Sequence, residues 1–138
     1  MRVLVQIGLV AFGSALGGLA RWGVGLAAAR WFGTGFPVGT FVINISGCLF
    51  LGWFATLLED RLLPGLAGLD ANGLRLMIAV GFTGAYTTFS TFEYETHSLF
   101  RDDDRLLGLA YIGLSLFLGL LAVHLGVLLA KWQYGGTP

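Results

Sequence analysis

Four long apolar segments, separated by short polar connectors, run along this chain. A helix needs about 20 mostly apolar residues to cross about 30 Å of hydrocarbon. Four segments have that length: 3–29, 38–58, 74–99 and 106–130. The connectors between them occupy residues 30–37, 59–73 and 100–105. The pattern predicts an all-α integral membrane protein whose four transmembrane helices form a single domain over residues 1–138.

The third apolar segment contains a polar interruption. Residues 81–92 read GFTGAYTTFSTF, which places two glycines and a group of hydroxyl side chains inside an apolar run. In hydrocarbon, a broken helix persists only where the freed amides and carbonyls are buried in protein, face water or hold an ion. We therefore expect the third helix to be broken in mid-membrane, and we expect the break to carry the function.

The composition agrees with a membrane protein and argues against an enzyme. Hydrophobic residues make up 56% of the chain and charged residues 12%, and the mean hydropathy is +0.79. The single cysteine, Cys48, excludes an intrachain disulfide framework. The sequence has no nucleophile–base set, no phosphate-binding loop and no standard metal-ligand spacing. It therefore predicts neither an enzyme nor a nucleic-acid partner.

Positive charges are nearly balanced between the two sides of the predicted membrane domain. One side would hold Arg2, Arg61, Arg75 and Lys131, and the other would hold Arg30, Arg101 and Arg105. Membrane orientation follows the excess of lysine and arginine in short loops. A chain without a clear excess can insert in both orientations, although a slight imbalance can still select one of them.

Glycines occur throughout the apolar segments, for example at Gly13 and Gly17. Small residues spaced in this way let membrane helices pack closely. Four tightly packed helices leave no pore within one subunit, so a polar pathway would lie between subunits. The alternative is a compact monomer without a pathway.

Polar side chains inside the segments have both structural and functional interpretations. Asn44 can link helices by hydrogen bonds or donate to an anion, and Thr40 lies one turn earlier on the same face. Phe89 and Phe92 share a helix face, where they can pack or present positive ring edges to an anion. The hydroxyls beside them exceed what bonding back to helix carbonyls requires. They are Thr87, Thr88, Ser90 and Thr91.

The fourth segment carries a polar stripe, and the first and third segments each contain a charged residue of interest. Tyr111 and Ser115 stand at helical spacing, in a stripe that Gly119 continues without a hydroxyl. Arg21 can extend toward the end of the first helix or line a water-filled vestibule. Glu95 follows Phe92 by one turn and can line an entrance.

Three motifs resemble those of the Fluc-type fluoride channels, also called the CrcB family. They are GFTGAYTTFSTF at residues 81–92, GTFVINISG at residues 39–47 and GGLARWG at residues 17–23. The resemblance extends over the whole chain in length, number of spans and order of motifs. It implies an antiparallel, dual-topology homodimer in the cell membrane, or in the inner membrane of a Gram-negative source. Two pathways at the dimer interface would let fluoride leave the cell passively.

The resemblance also implies roles for individual residues. Residues that match the family's fluoride pathway are Asn44, Thr40, Phe89, Phe92, Ser90, Thr91, Tyr111 and Ser115. Gly84 and Thr87 match the positions whose backbone carbonyls would hold a central structural sodium ion shared by both subunits. Arg21 and Glu95 match vestibule positions. No organic cofactor is implied.

Two other functions are compatible with four spans. A small multidrug antiporter needs a membrane-embedded carboxylate for proton exchange, and the first segment has none. A non-conducting assembly subunit would use the polar break only for packing. Fluoride efflux from liposomes distinguishes both from a fluoride channel.

Overall fold

The structure, a computed structural model, describes residues 2–59 and 71–133, and its regular elements there are all helical. Three long helices and a set of shorter ones follow one another along the chain. The elements are α1 (Val3–Phe32), α2 (Val38–Leu57), α3 (Ala71–Leu74), the π-helix π1 (Arg75–Thr83), α4 (Gly84–Tyr86), α5 (Phe89–Arg101) and α6 (Arg105–Gln133). The predicted helical class is confirmed for the described residues.

Three of these helices are long and apolar enough to cross a membrane. They are α1, α2 and α6, with mean hydropathies of 1.9, 1.7 and 2.4 in their most apolar windows. Most of their large apolar side chains are exposed on the surface of the chain, as expected where lipid is the solvent. The helices extend slightly beyond some predicted limits, since α1 ends at Phe32 and α6 begins at Arg105. Arg61 and most of the second connector lie outside the described residues.

The third predicted segment is not a continuous helix. It consists of α3, π1 and α4, then two extended residues, then α5. Thr87 has a ψ of 160° and Thr88 has φ and ψ of −152° and 116°. The chain therefore leaves the helical conformation inside the motif where the sequence predicts a break. In π1, the Thr83 hydroxyl donates to the Ile78 carbonyl at 3.0 Å, five residues earlier.

Glycines set the two main helix contacts. The most extensive packing joins α2 to α6 and α1 to π1. A methyl group on Gly13 or Gly17 would collide with the backbone of Met77 or Phe82. The backbones of α1 and π1 therefore touch directly, which is the close approach expected of small residues in membrane helices.

The α2–α6 contact follows the same rule. A methyl group on Gly52 would collide with the Val123 carbonyl, and one on Gly126 would collide with the backbone of Leu49 and Trp53. Gly52 lies on α2 and Gly126 on α6, so each helix contributes a glycine that permits the close approach. Gly113, also on α6, has no atom near the position of an added methyl group.

A small aromatic core lies where α5 meets α6. Phe92, Leu99 and Tyr111 are buried together, and Phe36 and Phe41 pack against them. The Phe92 and Tyr111 ring centroids are 5.0 Å apart. This core anchors α5, the short helix that follows the break, to the long helix α6.

The substitution Gly126→Ala tests the α2–α6 contact. It should lower the free energy of unfolding by about 1–3 kcal/mol, because the backbones must separate to admit the methyl group. Thermal unfolding of the purified protein in detergent would measure the change.

Gly113→Ala is the matched control on the same helix. It should leave stability unchanged or raise it by up to about 1 kcal/mol, since alanine favours helix more than glycine does. Equal effects of the two substitutions would contradict the assigned contact.

Candidate functional site

The side chain of Asn44 satisfies the backbone at the helix break. Its Nδ2 donates to the Thr88 carbonyl at 3.0 Å, and the Thr88 amide donates to its Oδ1 at 2.9 Å. The Asn44 side chain thus pairs with both backbone polar groups of Thr88, as a residue of a neighbouring β-strand would. Because Thr88 is buried, an unpaired amide and carbonyl there would each be costly. One Nδ2 hydrogen remains for another acceptor, because a primary amide carries two.

Thr88 also begins α5. Its Oγ1 accepts a hydrogen bond from the Thr91 amide at 3.2 Å, which makes it the helix N-cap. The same oxygen donates to Thr91 Oγ1 at 2.9 Å. Thr91 therefore accepts from Thr88 and keeps its own hydroxyl proton for a further partner. The first amides of α5, at Phe89 and Ser90, form the partially positive end of a 13-residue helix.

The Gly84 and Thr87 carbonyls are among those that lose their usual helical donors at the break. In an α-helix the Gly84 carbonyl would accept from the Thr88 amide, which here donates to Asn44. The Thr87 carbonyl would accept from the Thr91 amide, which here donates to Thr88 Oγ1. These are the two carbonyls that the resemblance assigns to a sodium ion. Neutral carbonyl oxygens are suitable ligands for a hard cation.

Glu95 joins two of the predicted pathway hydroxyls. Its Oε1 accepts from Thr40 at 2.8 Å and its Oε2 accepts from Tyr111 at 2.9 Å. Tyr111 is completely buried, with 0% of its surface exposed. The carboxylate thus lies at the centre of α5 and holds α2 and α6 side chains together. The Glu95 side chain is half-buried and its role at a vestibule stays a prediction.

Two cavities adjoin the break and share Thr88. The first, of about 420 Å³, is lined by Arg21, Thr40, Thr88, Thr91 and Glu95 among others, and we call it the Arg21 cavity. The second, of about 220 Å³, is lined by residues including Asn44, Cys48, Thr87 and Phe89, and we call it the Cys48 cavity. The break therefore separates a polar recess from a smaller and more apolar one.

The two predicted pathway phenylalanines contact each other but differ in burial. Their ring centroids are 5.9 Å apart with an interplanar angle of 42°. Phe89 is 73% exposed, whereas Phe92 is only 6% exposed and packs on Tyr111. Within one chain, Phe92 belongs to the core and Phe89 projects from the surface beside the break.

The remaining predicted residues have different surroundings. Ser90 is exposed, and its hydroxyl lies 3.5 Å from Thr88 Oγ1. Ser115 Oγ is buried without a hydrogen-bond partner in the described part of the chain. The assignment of Ser115 to the fluoride pathway stays a prediction.

Three sets of contacts at the site were not predicted from the sequence. They are the two bonds between Asn44 and Thr88, the two bonds to Glu95, and a bond between the Ser46 and Tyr86 hydroxyls at 2.9 Å. The spacing of Asn44 and Ser46 on α2 offered a weak signal, since both lie in the same polar motif. Their partners are 40 or more residues away in the chain, so periodicity did not reveal them.

Comparisons with known proteins give one consistent family. Residues 8–127 match the family described as CrcB-like protein, Camphor Resistance (CrcB). A relative from Chloroflexus aurantiacus, named "Fluoride-specific ion channel FluC", is 43% identical over 92% of this chain and 95% of its own. Relatives with the same name come from Synechococcus sp. and Acidobacterium capsulatum. The Synechococcus relative is 44% identical over 90% of this chain and 92% of its own length. The Acidobacterium relative is 46% identical over 88% of this chain and 93% of its own length.

The substitution Asn44→Ala tests how the break is satisfied. It leaves the Thr88 amide and carbonyl without partners, at a cost of about 1–3 kcal/mol for each buried group. We expect faster hydrogen–deuterium exchange across residues 86–92, measured by mass spectrometry on the protein in detergent.

Ser98→Ala serves as the control, because that hydroxyl only bonds back to the Tyr94 carbonyl on the exposed face of α5. Its exchange in residues 86–92 should match that of the parent protein. Unchanged protection in Asn44→Ala would show that the pair with Thr88 does not hold the break.

Proposed function

The chain belongs to the CrcB family, and from this membership and the geometry of the helix break we propose that it conducts fluoride passively out of the cell. Its relatives carry the name of an ion channel, so the protein is a multi-pass membrane protein and not an enzyme, as the sequence predicted. The observation that carries the proposal is the break itself. It brings hydroxyls, helix amides and an exposed aromatic ring together between two cavities.

The chemistry of fluoride fits this donor set. Fluoride is small and strongly hydrated, so many closely spaced donors are needed to replace its water. Hydroxyls, an amide N–H and ring edges supply these donors without a fixed positive charge that would trap the ion. Conduction needs sites that are strong enough to admit an ion and weak enough to release it.

Hydrogen bonds within the chain divide the pathway residues into two groups. Thr91 keeps its hydroxyl proton, Asn44 keeps one amide hydrogen, and Ser115 has no partner among the described residues. Thr91 and Asn44 line the two cavities and can donate to an anion there, whereas Ser115 lines neither cavity. Thr40 and Tyr111 instead donate to Glu95, so an anion that reaches them must compete with a carboxylate.

The proposed assembly is an antiparallel homodimer with two pathways. Each subunit would then have four spans. Three of them are α1, α2 and α6, and the remaining one is the broken third segment, which consists of two half-helices. The exposed positions of Phe89 and Gly84 beside the break support a contact with a second copy there. The near-balance of arginine and lysine between the two sides permits both orientations in one membrane.

The proposed central cation is sodium. The Gly84 and Thr87 carbonyls would hold it, since both have lost their helical donors. The described residues contain no group of three or more His, Cys, Asp or Glu that would favour another metal. A cation bound by both subunits would supply positive charge at the centre of the dimer.

The substitution Phe89→Ile tests the channel function. The purified parent protein in fluoride-loaded liposomes should release fluoride far faster than protein-free vesicles do, as followed with a fluoride electrode. Phe89→Ile should reduce that rate at least about tenfold, because it removes the ring edge at the break.

Phe117→Ile is the matched control, because Phe117 is 67% exposed on α6 and lines neither cavity beside the break. It should conduct like the parent protein. Absence of fluoride release from the parent protein would overturn the proposed function. Equal rates for the two variants would remove Phe89 from the pathway.

Dual topology is tested by labelling a cysteine in the first connector. Gly35 is exposed and has open space around it, so Gly35→Cys in a Cys48→Ala background provides a clean target. A membrane-impermeant maleimide added to intact cells should label about half of the molecules, with the rest reacting only after lysis. Labelling of all molecules or of none would contradict dual insertion.

A further inference from the structure

Tyr86 occupies a distinctive position at the break. It is the last residue of α4 and lies between Gly84 and Thr87, whose carbonyls have lost their helical donors. Its hydroxyl lies 2.9 Å from Ser46 Oγ on α2. Neither the proposed fluoride pathway nor the aromatic core uses this residue.

The direction of the Tyr86 hydrogen bond follows from proton counting. Ser46 Oγ lies 2.7 Å from the Val42 carbonyl and 3.2 Å from the Ile43 carbonyl. A serine hydroxyl has a single hydrogen to donate, and a carbonyl can only accept a hydrogen bond. Ser46 therefore uses its hydrogen to donate to these carbonyls. The Tyr86 hydroxyl therefore donates to Ser46 and is held at a fixed point on α2.

The ring of Tyr86 is held as well. It stacks on Phe82 with a centroid separation of 5.8 Å and an interplanar angle of 9°. Phe82 in turn meets Phe50 of α2 edge to face at 5.9 Å. The side chain therefore has little freedom to turn, and the peptide units on either side of it share that restriction.

Tyr86 and Asn44 together fix the residue between their attachment points. Asn44 holds Thr88 through two hydrogen bonds, and Ser46 holds Tyr86 through one. Thr87 is extended between them, with a ψ of 160°, and its carbonyl does not accept from the Thr91 amide, which donates to Thr88 Oγ1 instead. The Tyr86 bond ties the last residue before the extended pair directly to α2.

We infer that Tyr86 is a positioning residue for the proposed cation site, acting through Ser46 to orient the Gly84 and Thr87 carbonyls. This inference depends on the proposed sodium site. Tyr86 does not touch the cation in this arrangement. Its hydroxyl raises the affinity for sodium by holding the two carbonyls in place before the ion binds.

The test is sodium binding to the purified protein in detergent, measured by isothermal titration calorimetry in sodium-free, N-methylglucamine buffer. Tyr86→Phe retains the ring and removes only the hydroxyl. It should weaken sodium binding about threefold to tenfold, which corresponds to one net hydrogen bond. Ser46→Ala should weaken it similarly, and the double variant should be no weaker than either single one.

Tyr94→Phe is the matched control, since Tyr94 is an exposed tyrosine on α5, beyond the break. It should bind sodium like the parent protein. Thermal unfolding with and without sodium separates positioning from general stability. A positioning role reduces the stabilisation by sodium, whereas a purely structural role lowers stability equally in both buffers.

The outcomes separate the two proposals. Sodium binding by the parent protein with unchanged affinity in Tyr86→Phe and Ser46→Ala would overturn only the role of Tyr86. Absence of sodium binding by the parent protein would overturn both the cation site and this role. Fluoride release from the same preparation would still stand as separate evidence for the channel.

Discussion

The need to satisfy backbone polar groups away from water controls the arrangement of this protein. A break within a membrane segment exposes amides and carbonyls that hydrocarbon cannot solvate. Asn44 provides the main compensation, since it pairs with both polar groups of Thr88. Thr88 then caps α5 with its own hydroxyl. The break is thus supported from α2, and the carbonyls that remain without helical donors lie next to it.

This dependence explains why α2 contacts so many parts of the fold. Gly52 lets it touch α6, Gly47 admits the Thr87 side chain, and Asn44 and Ser46 hold the residues on either side of Thr87. The single helix α2 therefore combines close backbone packing with hydrogen bonding to the break. Both contributions are important in a membrane, where the burial of apolar surface provides little driving force for helix association.

Glu95 shows how a charged group can be held within such a fold. Its two oxygens each accept a hydrogen bond from a hydroxyl group, which compensates part of the cost of removing the carboxylate from water. The same bonds connect α2, α5 and α6 beside the Arg21 cavity. In the proposed channel, an anion that reaches Thr40 or Tyr111 must compete with this carboxylate for their hydroxyl donors.

The sequence by itself determined the helical class, the approximate limits of the long apolar helices and the location of the break, because hydropathy, glycine spacing and interrupted periodicity are local properties of the chain. It also pointed to Asn44 and Tyr111 as polar residues of interest. Only the tertiary structure decided that Asn44 pairs with Thr88, that Glu95 holds Tyr111, and that Phe92 is buried while Phe89 is exposed. These outcomes join residues from different helices. Their partners depend on how the helices pack, which periodicity within one segment does not specify.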